Sequence, residues 1–475
     1  MKHVLLINPP MHFDGRGRPH ALEVSSPHLG LLYLASYVHR HDARFRVHYV
    51  DVAPEELKLA KVVRIARELG PFAVGISVTT PQLQGAYELA VELRKALPRT
   101  TRFFAGGAHV SSDPGFVSRN PGLFDFAMTG DAEITFLASL QALARGEEPP
   151  LLQKSAPIED VDAIPFPDRS LIRPGAYNGD QTVMMSRGCP YDCYFCSSPI
   201  INRKVRTRSA RNVVEELKAC HLGRGGRFTF ADDTFTIRRK RVLEFCEQVR
   251  AERLPLRWNA NARIDLVDDE MLAAMKSAGC EWAQFGVEAG NEAIRKKVVQ
   301  KGFFTNADVR RVIAMCKRHG IRVGAYMILG HPGETKAEVQ ETKDMIFGYG
   351  WDGVSTGVLL PLPGTEVWNM AKRDGVVSDE MLDRFARKEF GEGYGGSYPL
   401  YLPHNLEPEY LFSEMRDINR RFYLNVRQAI YRLRRNLTSP RKLRLDARNF
   451  LRVLVQGGSS VRPFTGYRKY WRSAS

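Results

Sequence analysis

Three cysteines crowd into one short stretch of the chain. The run Ser186-Arg187-Gly188-Cys189-Pro190-Tyr191-Asp192-Cys193-Tyr194-Phe195-Cys196 spaces them as C-x3-C-x2-C. Thiolates on one loop suit a soft metal or an iron–sulfur cluster. Zinc asks for four ligands, usually from two C-x2-C pairs or from a cysteine pair with a histidine pair, and no second pair lies nearby. Three ligands leave one iron of a four-iron cluster open to bind another molecule. The competing reading, three buried structural thiols, fits poorly with the turn-like Pro190, Tyr191 and Asp192 between them. Cys220, Cys246, Cys280 and Cys316 stand singly in or beside helical patterns and read as small buried hydrophobes. An odd total of seven argues against a disulfide framework.

Such a loop needs elements to hold it. The apolar periodicity predicts two successive α/β series. In the first, strands at 3–8, 46–51, 72–78, 101–105 and 124–129 alternate with helices at 30–39, 55–69, 83–97 and 132–144. This reads as a doubly wound, Rossmann-like parallel sheet. In the second, strands at 182–186, 227–230, 257–262, 283–287, 323–329 and 353–360 alternate with helices. Six strand–helix units fit a partial (β/α)6 barrel, because a full eight-unit barrel needs ~250 residues. The expected organisation is 1–146 for the doubly wound domain, 147–180 for a linker, 181–370 for the partial barrel and 371–475 for a basic helical region. The cysteine loop directly follows the first barrel strand.

Composition narrows the class. The 475 residues are 44% hydrophobic and 26% charged, the balance of a globular protein. There is no long uncharged apolar run and no secretory pattern at the start, so the expected compartment is the cytoplasm. The formal charge of +16 is uneven. Residues 416–475 hold sixteen Lys and Arg against two Asp and Glu, leaving only +2 for the rest. An amphipathic helix is expected at 410–436 and a second at 440–456, with Tyr467, Tyr470 and Trp471 as possible interfacial anchors. This tail suits packing on the barrel or peripheral contact with anionic lipid at the inner membrane surface. Nucleic acid is a poorer fit, since no recognised module accompanies the charge.

Each further barrel strand ends in a segment with chemical potential, at the carboxyl-terminal face where barrel active sites sit. Strand two ends in Phe230-Ala231-Asp232-Asp233, strand three in Asn261-Ala262-Arg263, and strand four in Gly286-Val287-Glu288-Ala289-Gly290. Strand five ends in Met327-Ile328-Leu329-Gly330-His331-Pro332-Gly333-Glu334, and strand six in Pro361-Leu362-Pro363-Gly364-Thr365. Together with the cysteine loop, whose Phe195 is the aromatic residue before the third Cys, these segments resemble the radical S-adenosylmethionine (SAM) family. The resemblance implies a [4Fe–4S] cluster on Cys189, Cys193 and Cys196, whose open iron chelates SAM. Reductive cleavage of SAM then yields a 5′-deoxyadenosyl radical that abstracts hydrogen. It further implies SAM contacts from Phe195, from Asp232 or Asp233 to the amino group, from Arg263 to the carboxylate, from Glu288 to the ribose and from Ile328 to the adenine. Glu334 is expected to orient a turn.

In the first domain, Asn8-Pro9-Pro10, Pro27-His28-Leu29-Gly30, Ala105-Gly106-Gly107-Ala108-His109 and Thr129-Gly130-Asp131-Ala132-Glu133 are similar to the cobalamin-binding class of radical SAM proteins. The resemblance implies that cobalamin meets Asn8, Pro9, Ser77, Thr79, Thr80, Gly106, Gly107, His109 and Gly130. Many such domains carry Asp-x-His-x-x-Gly after the first strand. Here Pro10-Met11-His12-Phe13-Asp14-Gly15 stands there, so no histidine is expected to ligate cobalt. Methylthiotransferases that modify tRNA have three further cysteines near the amino terminus, and this chain has none before 189.

The expected protein is a cobalamin-dependent radical SAM enzyme that methylates an unactivated carbon of a small-molecule or lipid-like substrate. A flavodoxin- or ferredoxin-type donor would supply electrons. A cyclase, rearrangement or ring-contraction enzyme built from the same parts, without methyl transfer, is the alternative. A cobalamin or redox sensor is the non-catalytic one, although a sensor has no need of ordered SAM-contact segments.

Overall fold

A computed structural model describes residues 1–20, 26–177, 181–220, 226–297, 299–301, 303–393, 398, 400–402 and 406–424. The amino-terminal sheet has six parallel strands: β1 (Lys2–Asn8), β2 (Phe45–Asp51), β3 (Ala73–Ser77), β4 (Arg102–Gly106), β5 (Phe126–Thr129) and β6 (Leu152–Lys154). Their spatial order is β2-β1-β3-β4-β5-β6. The chain reverses direction across the sheet between β1 and β3, and ligands of such sheets bind beyond the strand ends at that point. All five residues of β3 are buried, as expected for a strand covered on both faces. α1 (Leu29–His41), α2 (Leu59–Leu69), α3 (Leu83–Ala96), α4 (Ala108–Ser112), α5 (Gly115–Arg119) and α6 (Glu133–Ala144) provide that cover. The stretch read as a linker contributes β6. Only three residues long and with one of them buried, it shows too little alternation to be recognised in sequence.

The second sheet is also parallel: β7 (Gln181–Val183), β8 (Arg227–Phe230), β9 (Arg257–Ala262), β10 (Cys280–Glu288), β11 (Arg322–Leu329) and β12 (Gly353–Val358). Its spatial order follows the chain from β7 to β12, each strand pairing with the next. This is the open six-stranded barrel. α7 (Ser198–Ile201), α8 (Ala210–Ala219), α9 (Arg239–Ala251), α10 (Asp269–Ser277), α11 (Glu292–Lys297), α12 (Asn306–Arg318) and α13 (Lys336–Gly348) lie between its strands. Local sequence fixes several starts. Thr305 with Asp308 and Thr335 with Glu338 each close a capping box, satisfying amide donors that the first helical turn leaves unpaired. The four lone cysteines are buried, as small apolar residues are.

α14 (Glu366–Arg373), α15 (Asp379–Ala386) and α16 (Pro408–Tyr423) complete the described chain. α16 buries Leu411, Phe412, Met415, Ile418 and Phe422 in the barrel's core. Through residue 422, then, the apolar face of the expected amphipathic helix is committed to protein. The rest of that helix, the helix expected at 440–456 and the aromatic anchors lie outside the described residues. Among the described residues no helix is long and apolar enough to cross a membrane.

One hydrophobic cluster joins the two halves. It runs from Leu5, Ile76 and Leu83 of the first domain to Tyr194 of the cysteine loop, Ala289 after β10, and Trp368 and Phe385 of α14 and α15. Gln84 of α3 donates to the carbonyls of Phe385 and Gly391. Both sheets therefore aim their carboxyl-terminal ends at one shared region.

Candidate active site between two parallel sheets

A cavity of about 340 Å3 lies between the sheets. The first domain lines it with Ser77, Gly106, Gly107 and Gly130 at the ends of β3, β4 and β5. The barrel closes it with Gly188 before the first cysteine and Asp233 after β8. The glycines matter sterically. Gly107 has φ +99, and a Cβ there would stand 2.9 Å from the Val78 carbonyl; at Gly130 (φ +75) it would stand 2.8 Å from the Ser155 carbonyl. Only glycine takes these conformations without strain, and both leave backbone bare for a bulky ligand.

Of the nine residues expected to meet cobalamin, these four line the cavity. The other five do not, because each is used elsewhere. The Asn8 amide donates to Asp51 at 3.0 Å, and Gln82 donates to the Asn8 side chain at 2.9 Å and to the Pro9 carbonyl at 2.7 Å. Thr79 donates to Gln82, and Thr80 pairs with His109 Nδ1 at 3.1 Å. His109 is fully buried, packed edge-on against Phe116, and burial lowers its pKa to about 4. His12 lies off the cavity, stacked on His20. A cavity residue not assigned from sequence is His28. Its Nδ1 caps α1 by accepting from the Leu31 amide at 3.2 Å, so Nε2 carries the proton and donates to Ser77 Oγ at 2.9 Å. That bond fixes the rim of the cavity.

A buried charge network holds the cysteine loop against the first domain. Arg187 pairs with Glu133 at 2.7 Å and with Asp131 at 3.5 Å, while Arg206 pairs with Asp131. The guanidinium of Arg187 also lies 4.9 Å from the Tyr33 ring centroid. The Gly130–Glu133 segment thus serves twice: its glycine opens the cavity and its carboxylates anchor the loop.

On that loop the Cys189 amide donates to the Asn202 carbonyl at 3.0 Å, and the Cys196 amide to that of Cys193 at 2.9 Å. All three thiols are free. Among the described residues no three His, Cys, Asp or Glu are drawn together tightly enough for a single ion. An iron–sulfur cluster is larger than an ion, and its ligands stand further apart. Three free thiols on one tightly turned loop, with cations beside them, match that donor set. Arg263 acts on the Cys189 and Cys193 thiols, and Lys301 on Cys193. Burial still pushes Cys193 up to about 11, and a bound metal would reverse that shift. Tyr194 ties the loop to β11's end through a 2.8 Å bond to His331 Nδ1.

The expected SAM contacts separate into free and committed groups. Asp232 is turned to the backbone. Its carboxylate is buried and accepts from the Met185 amide at 3.0 Å and the Ser186 amide at 2.5 Å, holding the end of β7 in place. Asp233 instead faces the cavity, with one oxygen on Ser198 Oγ at 2.7 Å. Arg263 is also committed. Its guanidinium forms two 3.0 Å bonds to Asp265 and stacks 3.6 Å from the Tyr191 ring centroid. Glu288 sits where the β10–β11 register shifts, with φ +73. Such a bulge re-aims a side chain at a strand end. Its Oε1 pairs with Lys301 at 2.7 Å. Gly286 makes room for the pair, since a Cβ there would lie 2.5 Å from Glu288 Oε1. Lys301 lies in a loop thirteen residues on, carries no local motif, and only folding returns it to Glu288. Phe195 and Ile328 pack on the joining cluster. Glu334 orients a turn: its Oε2 accepts from the Gly330 and His331 amides at 2.6 and 3.1 Å.

Comparison with known proteins agrees with this construction. The family model for the radical SAM superfamily matches residues 183–346, and that for the B12 binding domain matches 21–140. An uncharacterized methyltransferase of Pyrococcus horikoshii is 30% identical over 389 residues, covering 78% of this chain and 83% of that one. An anaerobic magnesium-protoporphyrin IX monomethyl ester cyclase of Cereibacter sphaeroides is 26% identical, covering 79% and 64%. Among solved structures, the radical SAM methyltransferase TsrM of Kitasatospora setae, with tryptophan substrate and a SAM analog bound, aligns with a TM-score of 0.66 at 17% identity, over 88% of this chain and 89% of that one. The cobalamin-dependent radical SAM enzyme OxsB, in its apo form, aligns at 0.68 and 17% identity, over 95% and 70%. These two share the fold. The cofactors of the family are a [4Fe–4S] cluster, SAM and cobalamin. Two ordered domain matches and a relative that aligns along most of both chains place this protein in the family of cobalamin-dependent radical SAM methyltransferases.

Proposed function

We propose that this enzyme transfers a methyl group to an unactivated carbon of a small molecule held between its two sheets. The observation that carries the reading is the single cavity lined by both Gly106–Gly107 and Asp233. A radical and a methyl donor acting on one carbon must reach it from adjoining sites, and positioning of that kind supplies much of catalysis. In this reading Cys189, Cys193 and Cys196 hold the cluster. Asp233 receives the SAM amino group as a charge-assisted contact. Glu288 and Lys301 present a fixed anion and cation beside the cysteine loop for the polar groups of SAM, and Ile328 and Phe195 give an apolar wall. Ser77, Gly106, Gly107 and Gly130 accept cobalamin. The bound groups supply a hydrogen-abstracting radical and a transferable methyl. The protein orients them, and its joining core keeps water out.

The test is anaerobic loading with iron, sulfide and hydroxocobalamin, then incubation with reductant and SAM bearing a deuterated methyl group. About one cobalt per chain, 5′-deoxyadenosine and deuterated product support methyl transfer. 5′-Deoxyadenosine with cobalt bound and no methyl transfer would favour the cyclase-type reading, and no cobalt would overturn both.

A further inference from the structure

His331 lies in the turn after β11 and is only 1% exposed. Three segments meet on its imidazole. Nδ1 lies 2.8 Å from the hydroxyl of Tyr194, which stands between the second and third cysteines of the loop. Nε2 lies 3.4 Å from the main-chain carbonyl of Glu288, at the end of β10. The ring also reaches the carbonyl of Ile328, three residues back on β11. Burial keeps the imidazole neutral, with one N–H. A carbonyl only accepts, so Nε2 donates to Glu288 and Nδ1 accepts from Tyr194. Tyr194 is itself buried and packs edge-on against Phe195. A phenol and an imidazole buried here are costly unless paired, and two apolar side chains would pack without that cost. The carbonyl that His331 holds belongs to a strained residue. Glu288 has φ +73 at the register shift between β10 and β11, and its carboxylate pairs with Lys301. Turning that peptide would turn the carboxylate with it. His331 is fixed in turn by Glu334, which accepts from its amide and from that of Gly330.

We propose that His331 is a positioning residue that registers the SAM contacts against the cysteine loop. It holds the Glu288 and Ile328 carbonyls on one side and Tyr194 on the other. The proposal rests on the cluster and SAM contacts assigned above. Its role is geometric: no bond to His331 is made or broken. Groups that grip two ends of one small ligand act together only when they are held in fixed relation, and the residues behind them set that relation. Filling space is the competing role for a buried ring. It asks for the shape of the imidazole, whereas positioning asks for its hydrogen bonds.

The test uses the full chain loaded with iron, sulfide and cobalamin, and tritiated SAM as the probe. Tyr194→Phe/His331→Leu removes both polar partners together, so neither is left buried and unpaired. His331→Gln keeps a donor and an acceptor but loses the ring. SAM should bind at least tenfold more weakly to the double variant, with iron and cobalt content unchanged. The change that SAM causes in the electron paramagnetic resonance of the reduced cluster should disappear in the same protein. His331→Gln should stay within threefold of wild type in SAM affinity and keep that spectral change. A double variant with SAM affinity within twofold of wild type and the spectral change intact overturns the proposal. So does a His331→Gln protein as impaired as the double variant, since the ring's shape and not its bonds would then count. Loss of iron together with SAM binding in the double variant also overturns it, because the pair would then serve only to hold the cysteine loop. A wild-type protein whose reduced cluster does not respond to SAM overturns the SAM assignment itself, and this proposal with it.

Discussion

The two parallel sheets reach the shared cavity with opposite means. The first domain offers absence: Gly106, Gly107 and Gly130 leave bare backbone, and Ser77 is tethered by His28. The barrel offers the cavity Asp233, and carries three thiols and the Glu288–Lys301 pair on the segments that follow its strands. Strand order accounts for part of this difference. The β2-β1-β3 reversal opens a crevice at the sheet's edge, which a large ligand enters. The barrel's monotonic order has no reversal, so its strands converge side chains on one end. A tailed macrocycle needs room, whereas a cluster and a small zwitterion need ligands.

Breaking each half should therefore fail differently. The largest effect belongs to the thiols. Cys193→Ala should remove most bound iron and cut reductive SAM cleavage at least ~100-fold, while cobalt binding survives. Iron and cobalt analysis of the same sample checks both. The reverse pattern is expected for Gly106→Leu. A Cβ at Gly106 meets nothing closer than 3.7 Å and its φ is ordinary, so the variant folds and fills the cavity. Cobalt loading should fall at least ~10-fold with iron unchanged, since a close-packed site rejects added bulk. Simultaneous loss of iron would mean that the two halves do not load independently.

The joint between the halves comes next. Arg187→Met strands Glu133, whose side chain is only 4% exposed, and should cost about 3–5 kcal/mol in urea unfolding. Adding Glu133→Leu should restore most of that loss. An additive double variant would mean that the pair does not couple the domains.

The smallest effect is a pH dependence confined to the barrel. Burial pushes Glu334 up to about 7. The folded state then binds more protons than the unfolded one between about pH 4.5 and 7, so this group's contribution falls as pH rises through that window. His331, lowered to about 4 by burial, works in the opposite sense: its contribution is lost as pH falls below its unfolded value near 6.5. Glu334→Gln should remove only the first trend. The difference in melting temperature between variant and wild type should therefore shift in the variant's favour from pH 5 to pH 7.5. A pH-independent difference would show that Glu334 is ionised in the fold.

Sequence by itself determined the alternation of elements, since period-2 and period-3.6 apolar patterns are local consequences of strand and helix geometry. It also determined the cysteine loop, the glycine-lined strand ends of β4 and β5, and the turn role of Glu334, because each is a short contiguous pattern. Tertiary structure alone decided which of two adjacent aspartates faces the cavity. Asp232 is consumed by amides of residues 185 and 186, and such a contact leaves no trace in local spacing. It also decided that Arg263 is held by Asp265, that His109 is buried under Thr80, and that His28 guards the cavity. Lys301 meets Glu288 only because the loop after α11 folds back beside a bulged strand. A residue's type and spacing state what it can do, but a hydrogen bond or ion pair satisfied in the folded chain removes it from use, and those partners are fixed by contacts distant in sequence.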